Sequence, residues 1–418
     1  MNLNSTNGSL HSVYDTIMYA KQNSPFYQNH LKSFNPGQQD ITESFLKTLP
    51  FTTKEDISSN NLDFLAVPLS RVAEYCTTSG TAGDPITIYL TKTDLLNLGK
   101  NEEQSFRLTG AGAEDVFQLM TTIDKQFMAG LAYYLGVQEL GAGLIRIGPG
   151  VPSMQWKSIF MNKPTVLIAV PGFIVSLIDY AKKNNIDYRS SSVRSIICIG
   201  EPIREADFSL NLLGRRIVDN WNVQLFSTYA STEMGAAFTE CKYHNGSHLN
   251  TDLLYLEVIK DNGEDAQEGE AGEIVITTLK RSGTPLIRYR TGDIAHIYLK
   301  TCGCGERSRR IGPILGRKSQ IIKYKGTTIF PNSIFKILDS FEDVTCYKVE
   351  VSRDSLGNHA LTVLLEKEVE SSGNLFNIIE KCRAEMRVVP DFLFLEKDYL
   401  YTQIYKSNSR KPEKIIFK

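Results

Sequence analysis

The chain has 418 residues, enough for two or more domains with separate cores, and its 42% hydrophobic and 22% charged content is that of a soluble globular protein. A formal net charge of -1 supplies no long-range attraction for nucleic acid or an anionic membrane, so neither is expected as a partner. No apolar run approaches bilayer length, the polar start (residues 1–9) does not read as a signal peptide, and seven cysteines, an odd number, fit a reducing cytoplasm better than a disulfide framework.

In chain order, Val13, Ile17 and Ala20 have helical spacing, ending before Ser24-Pro25-Phe26-Tyr27. At Leu49-Pro50-Phe51-Thr52-Thr53-Lys54-Glu55-Asp56 a threonine is placed to cap a helix with acidic residues in its first turn. Cys76-Thr77-Thr78-Ser79-Gly80-Thr81-Ala82-Gly83-Asp84-Pro85 then packs three hydroxyls and two glycines between Thr78 and Gly83, with an extended stretch, Ile86 to Leu90, behind it. Glycines let successive backbone N–H groups converge on an anion, and hydroxyls add neutral donors for phosphate oxygens. No Walker lysine motif occurs in the chain; taken alone, the stretch reads as a surface turn.

A helix is predicted over 93–106 and a strand over 116–120. In the following run, Ala129, Gly130 and Ala132 beside Phe127, Met128, Tyr133 and Tyr134 read first as tight helix packing and second as a ligand wall. Strands are predicted at 166–170, 195–199 and 223–229, with an apolar helical stripe over 173–182 between the first two. This alternation predicts an α/β fold with a largely parallel sheet, in which ligands collect beyond the carboxyl ends of the strands. Gly200-Glu201-Pro202 and Tyr229-Ala230-Ser231-Thr232-Glu233 fall at such ends. Near residue 250 the pattern turns β-rich, with strands over 253–260 and 272–279 and a closing Arg288-Tyr289-Arg290-Thr291-Gly292-Asp293, which predicts a smaller antiparallel sheet. From about Lys318 a compact α+β appendage follows, ending in a basic tail, Lys406 to Lys414.

Three constellations carry chemistry. Glu233 at a strand end supplies the single carboxylate that a Mg²⁺ site beside phosphates needs, with Tyr229 able to lie on an adenine; the plainer reading is a Ser231 or Thr232 helix cap. Asp293 after Gly292 can accept both ribose hydroxyls, or is an ordinary turn aspartate. Cys241, Cys302 and Cys304 with His244 or His248 make three thiolates and an imidazole, a structural Zn²⁺ set with no open position. Cys76, Cys198, Cys346 and Cys382 read as buried free thiols.

Together these stretches resemble the adenylate-forming (AMP-binding) superfamily and, within it, the phenylacetate–CoA ligase family. The resemblance covers most of the chain, and five motifs in the family's order make it specific. Ser24-Pro25-Phe26-Tyr27 and Leu49 to Lys54 resemble that family's N-terminal elements, the 78–85 loop its phosphate loop, Gly200-Glu201-Pro202 its adenine-edge segment, Tyr229 to Glu233 its aromatic-x-x-Thr-Glu motif, and Tyr289 to Asp293 its ribose motif. Gly316-Arg317, with Ile322-Lys323 and Gly326, resembles the hinge of a small mobile C-terminal domain. The resemblance implies an α/β N-terminal domain over 1–316, with mostly parallel sheets flanked by helices and a β-rich subdomain at about 240–312, and an α+β AMP-binding lid over 317–418.

By the same resemblance, Ser79, Gly80, Thr81 and Gly83 hold phosphates and Thr232 contacts the α-phosphate. Glu233 holds Mg²⁺, Gly200, Glu201, Pro202, Ala230 and Ser231 border the nucleotide, Tyr229 stacks on adenine, and Asp293 and Arg317 take the ribose. Lys411 is the mobile lysine of adenylation, with Lys414 and Lys406 as competitors. Phe127, Met128, Gly130, Tyr134 and Met234 are candidate acid-pocket walls, and His248 is preferred over His244 for zinc. The sequence departs from the superfamily pattern at Ile86, where many members have lysine; at the hinge position, Ser319 or Lys318; and at Arg410, where a glycine is usual.

The implied activity is ATP-dependent joining of an aromatic or arylacetic acid such as phenylacetate to coenzyme A, through an acyl-adenylate. The alternatives are loading of an acid onto a carrier-protein thiol and a nucleotide-binding regulator without turnover. A homodimer is the family-level expectation.

Overall fold

The computed structural model describes residues 4–37, 41–78, 85–341, 343–353, 359–371, 373–404 and 413–418. Its contacts divide the chain into one unit of residues Met1–Thr291 and Ala295–Ile314 and a second of Gly292–Ile294 and Leu315–Lys418.

Five parallel strands form one side of the large sheet, in the spatial order Gly143–Arg146, Val116–Leu119, Val166–Ala169, Ser195–Cys198 and Gln224–Ala230. Val166–Ala169 and Ser195–Cys198 are buried at every position, as strands covered by helices on both faces must be. Helix Pro171–Lys183 crosses between them; its buried Ile174, Val175, Leu177, Ile178 and Ala181 recur at helical spacing and pack with Trp156, Trp221 and Leu167. Helices Pro152–Asn162 and Leu212–Val218 were not foreseen from the sequence; both are short, and the first has exposed apolar residues (Met154, Met161) that blur its stripe.

The β-rich region is not a separate sheet. Ala237–Glu240 pairs antiparallel with Gln224–Ala230, and the ladder continues through Ser247–His248, Arg310–Ile311, Tyr289–Tyr298, Ala271–Thr278 and Leu254–Ile259. Strand direction therefore reverses immediately beyond Gln224–Ala230, at the carboxyl edge where open α/β sheets form ligand crevices.

The leader elements brace this region. Ser24 caps helix Pro25–His30, and Thr53 and Asp56 form a reciprocal capping box on helix Lys54–Ser59. The buried Tyr27 hydroxyl accepts from Ile287 N (2.9 Å) and lies 3.0 Å from the Thr52 hydroxyl, which donates to Ile287 O (2.7 Å). Thr52 also bridges to Tyr289, fixing where that strand starts.

In the second unit, strands Tyr347–Arg353 and His359–Glu366 pair antiparallel, flanked by parallel Asp391–Leu395 on one side and Ile415–Phe417 on the other. Helices Pro331–Asp339 and Leu375–Met386 bury Ile334, Ile337, Leu338, Ile378 and Cys382 against them.

Candidate active site

Strand Glu74–Thr77 pairs antiparallel with Thr87–Leu90, and Thr78 closes the hairpin: its N–H donates to Ile86 O (3.0 Å) and its hydroxyl accepts from Ile86 N (3.1 Å). The stem of the hydroxyl-rich loop is thus fixed at Thr78 and Ile86. Ser79, Gly80, Thr81 and Gly83 lie outside the described residues, as does Lys411.

Gly200 follows strand Ser195–Cys198 with a φ of +76°, a turn that favours glycine, and Glu201 folds back so that Oε2 accepts from Gly172 N (2.9 Å) at the first turn of Pro171–Lys183. The carboxylate therefore ties two neighbouring strand ends together. Pro202 is exposed beside it.

Tyr229 and Ala230 end the next strand, with the Tyr229 ring 5.9 Å from that of Phe238. No helix follows. Ser231 caps a single turn instead, its hydroxyl accepting from Met234 N (3.2 Å), with Thr232 and Glu233 half-buried within the turn. Two groups that sequence reasoning did not assign fix Glu233. The Tyr289 hydroxyl donates to Glu233 Oε1 (3.2 Å), and the Arg281 guanidinium donates to the backbone oxygens of Glu233 (2.7 Å) and Met234 (3.0 Å). Gly235 leaves room for that guanidinium: at φ +57°, a Cβ there would lie 1.4 Å from Nη2.

Arg281 is buried, which pulls its pKa down; nearby Asp94, Cys76 and Glu233 oppose that. Asp94 is the acidic end of a Thr91–Asp94 capping box and accepts from Thr91 N, Ser282 N and Gly283 N at 2.8–2.9 Å. The polar run Arg281-Ser282-Gly283-Thr284 was the available signal for this bracket, but it means nothing until folding brings Asp94 to it.

Asp293 and Arg317 are cross-strand partners within the second unit, with Asp293 Oδ1 3.3 Å from Arg317 Nε. Asp293 is largely buried while the arginine is half-exposed, and Gly292 before it has φ +75°. Lys414 is already engaged in the same unit: its ammonium donates to the Tyr347 hydroxyl (2.9 Å) and lies 3.4 Å from Asp339 Oδ1.

Of the candidate acid-pocket walls, Met128 and Met234 join one buried cluster with Leu98, Ala132 and Phe238. Gly130 backs onto the Thr122 carbonyl, where a Cβ would come within 1.8 Å of the oxygen. Its lack of a side chain is therefore explained by close packing. Phe127 precedes helix Met128–Leu140 as its N-cap residue, and Tyr134 is half-buried under the Arg146 guanidinium, 5.6 Å from the ring centroid.

Cys241, His248, Cys302 and Cys304 come together, their ligand atoms all within 4.8 Å of one another. Cys241 Sγ lies 3.7 Å from Cys302 Sγ, and Cys304 Sγ lies 3.6 Å from His248 Nε2. A tetrahedral Zn²⁺ with ordinary bond lengths gives S···S edges of about 3.8 Å and S···N edges of about 3.6 Å. The four side chains fit that ion. Burial, with Arg310 adding to it, pushes the His248 imidazole down to about 4, so the ring is neutral as a ligand must be. His244 is engaged elsewhere, with Nδ1 3.3 Å from Glu240 Oε2 and its ring against Phe226.

Residues 12–279 match the family of AMP-binding enzymes. The phenylacetate-coenzyme A ligase of Thermus thermophilus is 28% identical over 87% of this chain and 80% of its own length, and that of Escherichia coli is 26% identical over 88% and 83%. Among solved structures, 2-hydroxyisobutyryl-CoA ligase in its postadenylation state, in complex with 2-HIB-AMP, superposes with a TM-score of 0.81 at 18% identity, covering 98% of this chain and 89% of that one, a likeness of fold. The chain belongs to the AMP-binding enzymes and, within that adenylate-forming superfamily, to the phenylacetate–CoA ligase family, whose activity is AMP-forming acid–thiol ligation.

Proposed function

We propose that this enzyme adenylates a compact aromatic or arylacetic acid, of the phenylacetate class, and passes the acyl group to coenzyme A. The observation that carries the reading is the fixed Glu233: its backbone is clamped by Arg281 and one carboxylate oxygen by Tyr289, at the sheet edge where strand direction reverses.

A carboxylate is a poor acyl donor because its leaving group would be oxide. In the first step its oxygen attacks the α-phosphorus of ATP, pyrophosphate leaves, and an acyl-adenylate forms; in the second the thiol sulfur attacks the acyl carbon and AMP leaves. The protein's part is positioning and charge stabilisation. Ser79, Gly80, Thr81 and Gly83 hold phosphates, Thr232 orients the α-phosphate, and Glu233 holds magnesium. A Mg²⁺ that keeps most of its waters needs one carboxylate oxygen, and Glu233 Oε2 is the one not given to Tyr289. Tyr229 faces adenine, the Gly200-Glu201-Pro202 turn borders it, and Asp293 with Arg317 takes the ribose. Lys411 neutralises charge that develops during adenylation; the engagement of Lys414 with Tyr347 and Asp339 supports Lys411 over that competitor. In this reading Cys241, His248, Cys302 and Cys304 hold a structural Zn²⁺, and residues 317–418 act as the mobile lid.

Acid-dependent ATP–pyrophosphate exchange over aryl, arylacetic, hydroxy and amino acids tests the reading. Phenylacetate or a near relative is expected to give the strongest exchange, with Glu233→Gln lowering it at least about a hundredfold. Exchange with no acid in the panel would overturn an adenylating function. AMP release with a phosphopantetheinylated carrier protein but not with coenzyme A would redirect the second step to a carrier.

A further inference from the structure

Arg204 and Glu240 are two charges removed from water: their side chains are 7% and 3% exposed. Burying both is costly unless further hydrogen bonds satisfy each group, because each loses its hydration. Those bonds are present. Arg204 Nε donates to Glu240 Oε1 (2.7 Å), Nη1 to the backbone oxygen of Phe208 (3.1 Å) and Nη2 to that of Leu225 (3.2 Å). The other carboxylate oxygen of Glu240 accepts from Ser227 N (3.0 Å), with His244 Nδ1 3.3 Å away.

The pair joins the roots of the two segments assigned to adenine. Arg204 follows the Gly200-Glu201-Pro202 turn by two residues, and Leu225 and Ser227 precede Tyr229 on its strand. The parallel ladder between Ser195–Cys198 and Gln224–Ala230 has its last paired register at Cys198 and Ser227, so the turn and Tyr229 both lie beyond it. There the guanidinium reaches from the turn's own chain to Leu225 O, and Glu240 takes Ser227 N on the same strand. The near side is held as well. Arg204 bridges antiparallel to Leu210, Asn211 N donates to Ile203 O (2.9 Å), and Asn211 Nδ2 donates to Pro202 O (2.8 Å).

We propose that Arg204, backed by Glu240, is a positioning residue for nucleobase selection: it sets the spacing between the 200–202 turn and Tyr229. The inference rests on the adenine role proposed for those two segments. Telling one purine from another depends on hydrogen bonds to the base edge, and these need their partners held within about 0.5 Å. A planar guanidinium with three bonded nitrogens supplies that rigidity, which a single ammonium on a flexible stem does not. The phosphates and ribose of a nucleotide are common to ATP and GTP, so this spacing matters to the base alone.

The test measures dissociation constants of ATP and GTP by calorimetry, with magnesium and without any acid, so that no turnover is needed. It compares the full chain with Arg204→Met, Arg204→Lys and the pair Arg204→Met with Glu240→Gln. Wild type is expected to bind ATP at least about tenfold more tightly than GTP. Arg204→Met should weaken ATP by about tenfold and leave GTP within about twofold, so that the two constants converge. Arg204→Lys keeps the charge without the fork and should fall between. The paired variant leaves no uncompensated buried charge; it should converge in the same way, and it carries the expectation if Arg204→Met does not fold.

A merely structural ion pair would weaken both nucleotides alike, and equal loss would overturn the proposal. So would a full preference for ATP in the folded methionine variants. Wild type separates the two claims. Equal affinity for ATP and GTP there sinks the adenine reading of the 200–202 turn, whereas a wild-type preference that survives every Arg204 substitution sinks only the positioning role.

Discussion

Glu102 lies fully buried on helix Lys92–Leu108, where burial pushes its carboxyl up from 4.5 to about 7, against the partial relief of the Asn101 amide donating to Oε1 (3.1 Å). Between those two values the folded protein keeps a proton that the unfolded chain has released. The resulting stability is fully present below 4.5 and is lost as pH rises through 7. Wild type should therefore lose about 2 kcal/mol between pH 5 and pH 8 from this group, read as a fall in the urea midpoint. Glu102→Gln keeps the neutral shape and should flatten that part of the profile; an unchanged slope would place its cause elsewhere. Asp293 invites a second test. If it takes the ribose, Asp293→Asn should raise KM for ATP by about tenfold, with a smaller effect on kcat, since hydrogen bonds to a charged acceptor contribute about 1.5–3 kcal/mol.

At the scale of elements, helices Lys92–Leu108 and Met128–Leu140 pack so closely that glycine is required at the crossing. A Cβ at Gly136 would lie 2.3 Å from the Glu102 Cβ and 3.0 Å from the Phe106 ring, atoms held by their own helix. Gly136→Ala should thus cost about 2–3 kcal/mol by overpacking. Gly99 offers the contrast: its nearest neighbour is the Leu135 Cβ at 3.3 Å, a gap that a small shift relieves. Gly99→Ala should be within about 1 kcal/mol of wild type, since the helix propensity gained offsets the crowding. Denaturation midpoints of the two variants measure the difference; equal effects would mean that the crossing yields as a whole. In the small-beside-aromatic run itself, Gly130 backs onto the Thr122 carbonyl and Met128, Ala132 and Tyr133 are buried, so that pattern records a packed interface first. Any acid pocket there is built on top of that interface.

At the scale of the molecule, the zinc reading is the most exposed to test. The four ligands come from the end of strand Ala237–Glu240, from Ser247–His248 and from the Cys302–Cys304 turn ahead of Arg310–Ile311, so an ion would cross-link three segments of the antiparallel ladder. Elemental analysis is expected to find one zinc per chain, and Cys304→Ser or a strong chelator should lower Tm by about 5–10 °C. Purified protein without metal and with unchanged stability in chelator would reduce the cluster to three buried side chains and a partly exposed Cys304. Among the described residues no helix is long and apolar enough to cross a membrane.

The sequence by itself specified the central parallel strands, because continuous apolar runs ended by Gly or Pro leave few alternatives to a doubly covered sheet: 166–169 and 195–198 are read directly, whereas the partly exposed edge strand Gly143–Arg146 was not foreseen. It also placed Gly200 and Tyr229 to Glu233 at strand ends, and it named the three cysteines and the histidine that converge, since order along the chain carries that information. Partners drawn from distant parts of the chain were decided only by folding. Arg281 and Asp94 lie far apart in sequence, and Tyr289 reaches Glu233 only because the ladder doubles back; no local pattern encodes these meetings. The same is true of Lys348, which in sequence is one cation among 46 and in the fold is a buried ammonium that donates to the Gln403 backbone oxygen and to Glu413 Oε2. Local periodicity fixes which face of an element is apolar, whereas the worth of a charge depends on what tertiary packing takes away from water around it.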